Sequence, residues 1–359
     1  MRTTYLEVNL FEFQNNIRKI KEYVSGKEVM PVIKANAYGT YIHTRLDILN
    51  QFKIVAVALV DEGIFLRKEG FQGEIFILNQ PSKEEIDLIS EYHLTVGISD
   101  MSFLQECISK NAEFPVHLEI ETGMNRTGIL YNDLAEFVSL LKTSLLKVEG
   151  IYSHFSSADF DSEYTKHQVD EFLKAKNYLE DNGLSFTYVH ISASNGILKC
   201  DLNFTNLVRP GIIMYGYDSY PGSCAMLDLK PICKLISHVS FLKMVPEGTK
   251  VGYSQKYTCD CDTLIATVPI GYGDGYRRSL SNKGYVYING KKAPIIGNIC
   301  MDSFMIDVSG IRVEVGDEVV LFDNEHISLD DYANLCDTIN YEVLCTIGER
   351  VPRHFKEDL

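Results

Sequence analysis

Residues 28–35, EVMPVIKA, form a short apolar run that closes on a lysine, Lys34, and a small residue. Seven further β-like runs follow along the first two-thirds of the chain, with helix-like amphipathic segments between several of them. These runs are residues 53–60 (KIVAVALV), 74–80 (EIFILNQ), 94–99 (LTVGIS), 115–121 (PVHLEIE), 148–155 (VEGIYSHF), 186–192 (FTYVHIS) and 207–213 (LVRPGII). Near-continuous apolar strands are typical of a parallel sheet covered on both faces. The eight units predict an α/β fold with a closed (β/α)8 barrel of the TIM type, and a doubly wound open sheet is the alternative.

Two of the helix-like segments carry start signals. Residues 81–92, PSKEEIDLISEY, have Ser82 before an acidic turn, and residues 99–110, SDMSFLQECISK, have Ser99 and Asp100 in capping position. Side chains of these types accept hydrogen bonds from the free N–H groups of a first helical turn. Both segments are therefore predicted to be helices.

The pattern of apolar residues changes near residue 230, beyond which few segments have helical periodicity. Apolar runs such as residues 263–273 (TLIATVPIGYG) and 316–322 (GDEVVLF) alternate with turn signals, and Asn289-Gly290 is a good hairpin signal. The change follows the turn-rich residues 218–224, DSYPGSC. We therefore predict a barrel domain over residues 1–228 and a mainly β domain over residues 229–359.

The composition is that of a soluble globular protein, with 45% hydrophobic and 23% charged residues among 359. A net charge of -15 disfavours a nucleic-acid partner, and the apolar runs are too short to cross a bilayer. The nine cysteines and the lack of a secretion signal at the start predict reduced thiols in a cytoplasmic protein. Cys259 and Cys261 have no second cluster of Cys or His beside them, so no metal site is expected.

Five polar or cationic residues fall near the ends of predicted barrel strands: Lys34, Arg126, His154, Ser194 and Arg209. Any one of them alone would be read as a surface or capping residue. In a barrel of this type, however, the carboxyl ends of the strands meet on one face, where function is built. We therefore expect the five residues to converge on one site.

A lysine in a desolvated barrel mouth has the chemistry needed for a Schiff base with pyridoxal phosphate. Desolvation lowers the pKa of the Lys34 amine from about 10.4 toward the range in which it attacks a carbonyl. The loops after the last two strands, with Ser194, Gly211 and Ile212, occupy the usual phosphate position of such barrels. No GxGxxG or Walker motif competes for this role. The sequence therefore predicts pyridoxal 5'-phosphate as the cofactor.

The chain resembles the alanine racemase family over essentially its whole length. The most specific match to the family is residues 32–39, VIKANAYG, the motif of its cofactor lysine. The other matches follow in the family's order: residues 121–128 (ETGMNRTG), 151–159 (IYSHFSSAD), 208–216 (VRPGIIMYG), 251–258 (VGYSQKYT), 269–278 (PIGYGDGYRR), 297–304 (GNICMDSF) and 340–353 (NYEVLCTIGERVPR).

The resemblance implies a role for each matching residue of the barrel. Lys34 would carry the cofactor, and Tyr38 would bind its phosphate together with Ser194 and the backbone of Gly211 and Ile212. Arg209 would face the pyridine nitrogen, and His154 would hold Arg209 in place. Because an arginine keeps its proton, it would leave that nitrogen unprotonated and weaken the ring as an electron sink.

The resemblance also implies a second acid–base residue and a substrate surface. Arg126 would contact the cofactor hydroxyl and the substrate carboxylate. Tyr253, from the β domain of a partner subunit, would face Lys34 across the substrate, which implies a homodimer. Tyr272, Met301 and Asp302 would complete the partner's surface. Racemisation needs a base on each face of the α-carbon, and Lys34 with Tyr253 would supply the two.

Three positions depart from the family pattern. Glu119 stands where the family often has a lysine modified to a carbamate, and Ala193 replaces the asparagine before the phosphate-binding serine. Glu349 replaces the tyrosine at the substrate gate, so it is predicted to line the substrate site. Because of the changes at Ala193 and Glu349, a serine racemase or a racemase of broad specificity remains an alternative.

Two further alternatives remain, both less favoured. A decarboxylase of related architecture would carry a glycine-triplet loop and a glutamate in place of Arg209, and neither occurs here. A carrier of pyridoxal phosphate would lack the β domain. The sequence therefore predicts a cytoplasmic, homodimeric racemase of a small amino acid, first of all alanine, that supplies D-alanine for the cell wall and has no nucleic-acid or membrane partner.

Overall fold

Six consecutive strands form a parallel sheet in which each strand pairs with the next along the chain. The computed structural model describes residues 3–357. The strands are β3 (Ile54–Val57), β4 (Glu74–Ile77), β5 (Thr95–Ile98), β6 (Pro115–Glu119), β7 (Lys147–Tyr152) and β8 (Tyr188–His190). All four residues of β3 and of β5 are buried, as expected for strands covered on both faces.

Two more strands close this sheet into a barrel. Strand β2 (Glu28–Val29) pairs in parallel with β9 (Leu207–Val208). A bridge between Val32 and Ala56 joins the β2 side to β3, and Arg209 N–H donates to the carbonyl of Ser192 at 3.1 Å on the β8 side. The predicted (β/α)8 barrel is confirmed.

Helices follow the barrel strands. The helical segments of this half are α1 (Leu10–Tyr23), α2 (Lys34–Tyr38), α3 (Leu46–Leu49), α4 (Val60–Glu69), α5 (Ile86–Glu91), α6 (Met101–Ser109), α7 (Leu134–Leu141), α8 (Ser162–Asp181) and α9 (Ser194–Lys199). Asp100 caps α6 by accepting from the N–H of Phe103 at 2.6 Å, as predicted. Glu85 accepts from the N–H of Ser82 at 2.7 Å ahead of α5.

The C-terminal half is a nine-stranded sheet. Its strands lie in the order β11 (Phe241–Val245), β14 (Thr263–Val268), β17 (Phe304–Asp307), β16 (Lys291–Ile296), β15 (Tyr285–Ile288), β18 (Glu318–Phe322), β10 (Cys233–His238), β1 (Tyr5–Asn9) and β19 (Arg353–Lys356). A separate pair is formed by β12 (Lys250–Val251) and β13 (Tyr257–Thr258), and two short helices are α10 (Leu329–Leu335) and α11 (Asn340–Cys345). The hairpin predicted at Asn289-Gly290 joins β15 to β16, and both residues have positive φ.

The start of the chain belongs to this second sheet and not to the barrel. Strand β1 pairs antiparallel with β10 and parallel with β19, so the assignment of all residues up to 228 to the barrel is wrong for Tyr5–Asn9. The sequence gives no sign of this because a strand of five residues fits either half. One continuous core of buried side chains joins the two halves. Among residues 3–357, no helix is both long and apolar enough to cross a membrane.

Candidate active site

A cavity of about 420 Å³ lies at the carboxyl ends of the barrel strands. The side chains or backbone of all eight residues predicted for the barrel side of the site line it: Lys34, Tyr38, Arg126, His154, Ser194, Arg209, Gly211 and Ile212. These residues come from positions far apart in the sequence, and the closure of the barrel brings them together.

Lys34 is half-buried where the chain leaves the first barrel strand. The pKa of its amine is lowered, chiefly by burial and then by the positive charge of Arg126, while Glu62 and Cys345 partly oppose this shift. A lower pKa means that more of the amine is unprotonated near neutral pH. The neutral form is the one that attacks an aldehyde.

The backbone after Lys34 forms a left-handed turn. Residues 35–38 all have φ between 52° and 55°, and none of the four is glycine. A left-handed conformation costs about 1–2 kcal/mol per residue with a side chain. Strain of this kind persists only where surrounding contacts impose it, and it is found most often at functional sites.

Arg209 is the most deeply buried charge of the cavity, with 2% of its surface exposed. Its Nη1 donates to Nδ1 of His190 at 2.6 Å, and its Nη2 donates to Nδ1 of His154 at 3.1 Å and to the carbonyls of Ser153 and Ile191. Burial lowers the pKa of the guanidinium to about 10, which still leaves it charged at neutral pH. None of these bonds uses its Nε–H.

The two histidines bonded to Arg209 are neutral. Burial, reinforced by the charge of Arg209, lowers the pKa of His154 to about 3 and that of His190 well below its usual value. A neutral imidazole can accept from a guanidinium, whereas a protonated one cannot. The pair therefore fixes the orientation of Arg209.

The other end of the cavity has the shape and donors of a phosphate site. The N–H of Gly211 donates to Oγ of Ser194 at 3.2 Å, and a Cβ on Gly211 would lie 2.5 Å from the hydroxyl oxygen of Tyr38. A side chain at this position would have to displace the Tyr38 hydroxyl, and its absence leaves a cradle between two hydroxyl groups. Hydroxyl and backbone N–H donors suit a phosphate.

Glu119 is buried on the barrel side, and its carboxyl is hydrogen-bonded to Thr127 and Tyr152 and not to Arg126. Oγ1 of Thr127 donates to Oε1 of Glu119 at 2.8 Å. Burial raises the pKa of this carboxyl, and the Thr127 bond and the charge of Arg126 oppose the shift. Glu119 thus acts on Arg126 through charge at a distance. Ala193 lines the cavity just before Ser194.

The residues predicted for the partner's side lie outside this cavity, on an exposed face of the β sheet half. Tyr253 is 71% exposed, Tyr272 44% and Met301 52%. Adjoining loops carry them: the amide of Asn298 donates to the carbonyl of Tyr253, and the N–H of Tyr272 donates to the carbonyl of Cys300. None of these three residues lines the barrel cavity, and Asp302 beside them forms an ion pair with Arg350 at 2.6 Å.

Glu349 does not line the barrel cavity of a single chain, and its contact with the substrate stays a prediction. Its carboxylate accepts from the hydroxyl of Tyr41 at 3.2 Å, on the outer side of the left-handed turn. An exposed carboxylate stays in water and accepts from a phenol there, outside the cavity that holds the cradle of Ser194 and Tyr38. The space next to the cradle is bordered instead by Tyr341 and Cys345.

Sequence reasoning missed His190, His117, Tyr341 and Cys345. The two histidines stand at inward positions of otherwise apolar strands, β8 and β6, and are completely buried. A polar residue inside such a strand needs a partner, and that signal could have linked them to Arg209. Tyr341 and Cys345 both lie on α11, and no local pattern indicates that this helix borders the barrel cavity.

The residues of the cavity fit pyridoxal phosphate. Lys34 offers an amine, Arg209 a fixed cation, and the glycine cradle between Tyr38 and Ser194 a place for the phosphate. The rest of the lining includes flat or apolar groups such as Tyr152 and Leu78. The fold and the site therefore define a barrel enzyme of the class that binds this cofactor through a lysine.

Comparison with known proteins identifies the family. The alanine racemase N-terminal domain matches residues 8–219, and the alanine racemase C-terminal domain matches residues 232–355. The alanine racemase of Clostridium novyi is 37% identical over 98% of this chain and 95% of its own length, and that of Carboxydothermus hydrogenoformans is 38% identical over 98% and 99%. The structure of alanine racemase from Clostridium difficile 630 gives a TM-score of 0.94 at 32% identity and covers 100% of this chain and 97% of its own.

A second solved structure, the alanine racemase from Bacillus anthracis with bound L-Ala-P, has the same TM-score of 0.94 at 32% identity, with 100% of this chain and 96% of that chain covered. The chain belongs to the alanine racemase family. The family resemblance seen in the sequence is confirmed.

Proposed function

We propose that the protein is a homodimeric, pyridoxal-phosphate-dependent racemase that interconverts L- and D-alanine. The observation that carries the proposal is the amine of Lys34, which shares one cavity with the buried guanidinium of Arg209 and the phosphate cradle at Gly211. The names of the relatives support alanine as the substrate. A serine racemase is not favoured by these comparisons.

In this reaction the cofactor acidifies the Cα–H bond, and residues of the protein transfer the proton and bind the substrate. When bound, pyridoxal phosphate withdraws electrons from the α-carbon of the amino acid and so makes the Cα–H bond acidic. Lys34 Nζ removes or returns the proton on one face of that carbon, and Tyr253 Oη of the partner subunit does so on the other face. Arg126 binds the substrate carboxylate at the cavity wall.

Arg209 sets how strongly the ring withdraws electrons. Its Nη atoms are held by His190, His154 and two carbonyls, so its Nε–H is the donor that would bind the ring nitrogen of the cofactor. Because the guanidinium keeps its own proton, it leaves that nitrogen unprotonated. Weaker electron withdrawal favours rapid return of the α-proton over side reactions such as transamination.

The exposed face of Tyr253, Tyr272 and Met301 supports the dimer. Large apolar and aromatic side chains that are exposed side by side on one face mark an interaction surface. The barrel cavity of one chain has one candidate base, Lys34, and the second candidate lies on this face. A symmetric dimer would place each face over the other chain's cavity and so complete two sites.

The cellular setting is part of the same proposal. A cytoplasmic enzyme would supply D-alanine for the cell wall, and its partners would be its own second copy and a small amino acid.

The test is to incubate the holoprotein with L-alanine alone in deuterated water. Racemisation predicts loss of optical rotation and deuterium at the α-carbon of both enantiomers. Release of carbon dioxide would instead identify a decarboxylase, and neither change would identify a carrier. The matched control is the same incubation with the exposed variant Lys166→Ala, which should behave as the unaltered protein does.

A further inference from the structure

Glu62 joins the backbone next to Lys34 to the start of a barrel helix. Its Oε1 accepts from the N–H of Ala35 at 2.6 Å. Its Oε2 accepts from the N–H groups of Ala58 at 2.8 Å and Leu59 at 3.1 Å, which precede α4. One carboxylate thus binds three backbone N–H groups from two segments of the chain.

The segment held on one side by this carboxylate is the strained one. Ala35 is the first of the four left-handed residues and directly follows Lys34. At the far end of the turn, Arg353 Nε donates to the carbonyl of Gly39 at 2.9 Å, so the turn is fixed at both ends. Backbone bonds such as Gly39 N–H to the carbonyl of Ala35 also hold the turn, but residues 35 and 36 are exposed, and Glu62 is the side chain that holds the N–H of Ala35.

Both the length and the chemistry of the glutamate side chain are needed for this contact. A glutamine has one acceptor oxygen, so its amide NH₂ would face either Ala35 N–H or the two N–H groups at α4. An aspartate is one methylene shorter and cannot span the two segments, although it still suits the first turn of a helix. The geometry is therefore specific to glutamate.

We propose that Glu62 is a positioning residue that fixes the left-handed turn and thereby aims the Lys34 amine into the cavity. The inference rests on the proposed function in taking Lys34 as the residue that binds the cofactor and acts as one of the two bases. Glu62 itself does not line the cavity.

The experiment compares Glu62→Gln and Glu62→Asp with the matched control Glu85→Gln. Glu85 accepts a backbone N–H at the start of a different helix and has no contact with the turn. Each protein is freed of bound cofactor, titrated with pyridoxal phosphate, reduced with borohydride and mapped by peptide mass spectrometry. Half-maximal labelling of Lys34 should need about tenfold more cofactor in both Glu62 variants, as expected for the loss of a hydrogen bond to a charged group.

A second readout separates positioning from general stability. The α-proton of L- and of D-alanine is exchanged with deuterated water in separate reactions, and the ratio of the two initial rates is measured. Displacing Lys34 slows the exchange of the enantiomer that Lys34 serves, so the ratio should move in the direction opposite to that caused by Tyr253→Phe. A loss of stability alone would slow both exchanges alike.

Each outcome decides one claim. The role of Glu62 is overturned if both Glu62 variants match Glu85→Gln in labelling and in the exchange ratio. It is also overturned if labelling weakens while the exchange ratio stays unchanged. If the unaltered protein is labelled at a residue other than Lys34, the proposed function fails instead. If Glu62→Gln does not fold, Glu62→Asp decides, because it retains a carboxylate for the N–H groups at α4.

Discussion

Nη1 of Arg209 donates to Nδ1 of His190 at 2.6 Å, and Nε2 of His190 lies 2.9 Å from Nδ1 of His117. Because Nδ1 of His190 accepts this bond, the one N–H of the neutral His190 ring is at Nε2, which donates to Nδ1 of His117. His117 then carries its own proton on Nε2, and that atom is buried with no hydrogen-bond partner among residues 3–357. A buried cation is thus backed by two neutral imidazoles in the centre of the barrel.

This arrangement predicts acid sensitivity with a defined sign. Burial, together with the charge of Arg209, lowers the pKa of His117 from 6.5 to about 3. Below about pH 6.5 the unfolded chain binds a proton at this histidine and the folded chain does not, so the free energy of unfolding decreases as the pH falls toward about 3. Each such histidine contributes a slope of about 1.4 kcal/mol per pH unit in this window.

The measurement is urea unfolding at about pH 7, 6 and 5. His117→Gln should give a shallower decrease of unfolding free energy than the unaltered protein, and the exposed His167→Gln is the matched control. An unchanged slope in His117→Gln would show that this imidazole is protonated in the folded protein.

Lys34→Ala should remove both the yellow colour of the bound cofactor and racemisation. The substitution deletes the only amine that lines the barrel cavity in the described part of the chain. Turnover should fall at least about a thousandfold because both attachment and one proton transfer are lost. The absorbance spectrum and chiral chromatography of the products measure the two effects. Lys166→Ala, on the exposed side of α8, should keep both, and a Lys34→Ala protein with full colour and activity would refute the assignment.

Tyr253→Phe should leave cofactor binding intact and affect the two enantiomers differently. Because L- and D-alanine have equal free energies, the overall kcat/KM must fall equally in both directions. The exchange of the α-proton with deuterated water, measured on each enantiomer separately, does not have this constraint. One enantiomer should lose exchange by about a hundredfold or more, and the other far less. Equal modest losses would mean that Tyr253 is not a face-specific base; Tyr285→Phe is the control.

Two substitutions of Glu349 test whether this position affects the choice of substrate. Since its carboxylate is turned toward Tyr41, charge at this position should matter little, and Glu349→Gln should leave the turnover of lysine unchanged. Glu349→Tyr tests the predicted contact with the substrate: a ring at this position should take up room beside the substrate and lower the ratio of kcat/KM for serine to that for alanine. The ratio is measured by chiral chromatography on each substrate. If Glu349→Tyr leaves this ratio unchanged, the position does not select substrates by the size of their side chain.

The barrel could be predicted from the sequence because its strands are apolar on both faces, as β3 shows with four buried residues. The barrel side of the site could be predicted for a related reason. Lys34, His154 and Arg209 are polar residues at the ends of such strands, and barrel closure must bring those ends together.

Other features depend on contacts that no local pattern records. The strand Tyr5–Asn9 joins the second sheet because β10 and β19 leave a place between them, and its own residues fit either half. Likewise, the left-handed turn after Lys34 has no glycine to announce it, and it depends on Glu62 and Arg353 from distant positions. Glu349 was assigned by analogy with a tyrosine, and no local pattern predicts that its carboxylate accepts from the hydroxyl of Tyr41.

The measurement that tests the central claim most directly is complementation between two inactive variants. Lys34→Ala and Tyr253→Phe are each purified, mixed, exchanged through mild dissociation and assayed for racemisation of alanine. If Tyr253 acts in the partner's cavity, each mixed dimer has one site with both lesions and one intact site. Activity should then rise from near zero to about a quarter of that of the unaltered protein, because about half of the dimers are mixed. If Lys34 and Tyr253 act within one chain, every site keeps a lesion and mixing restores nothing.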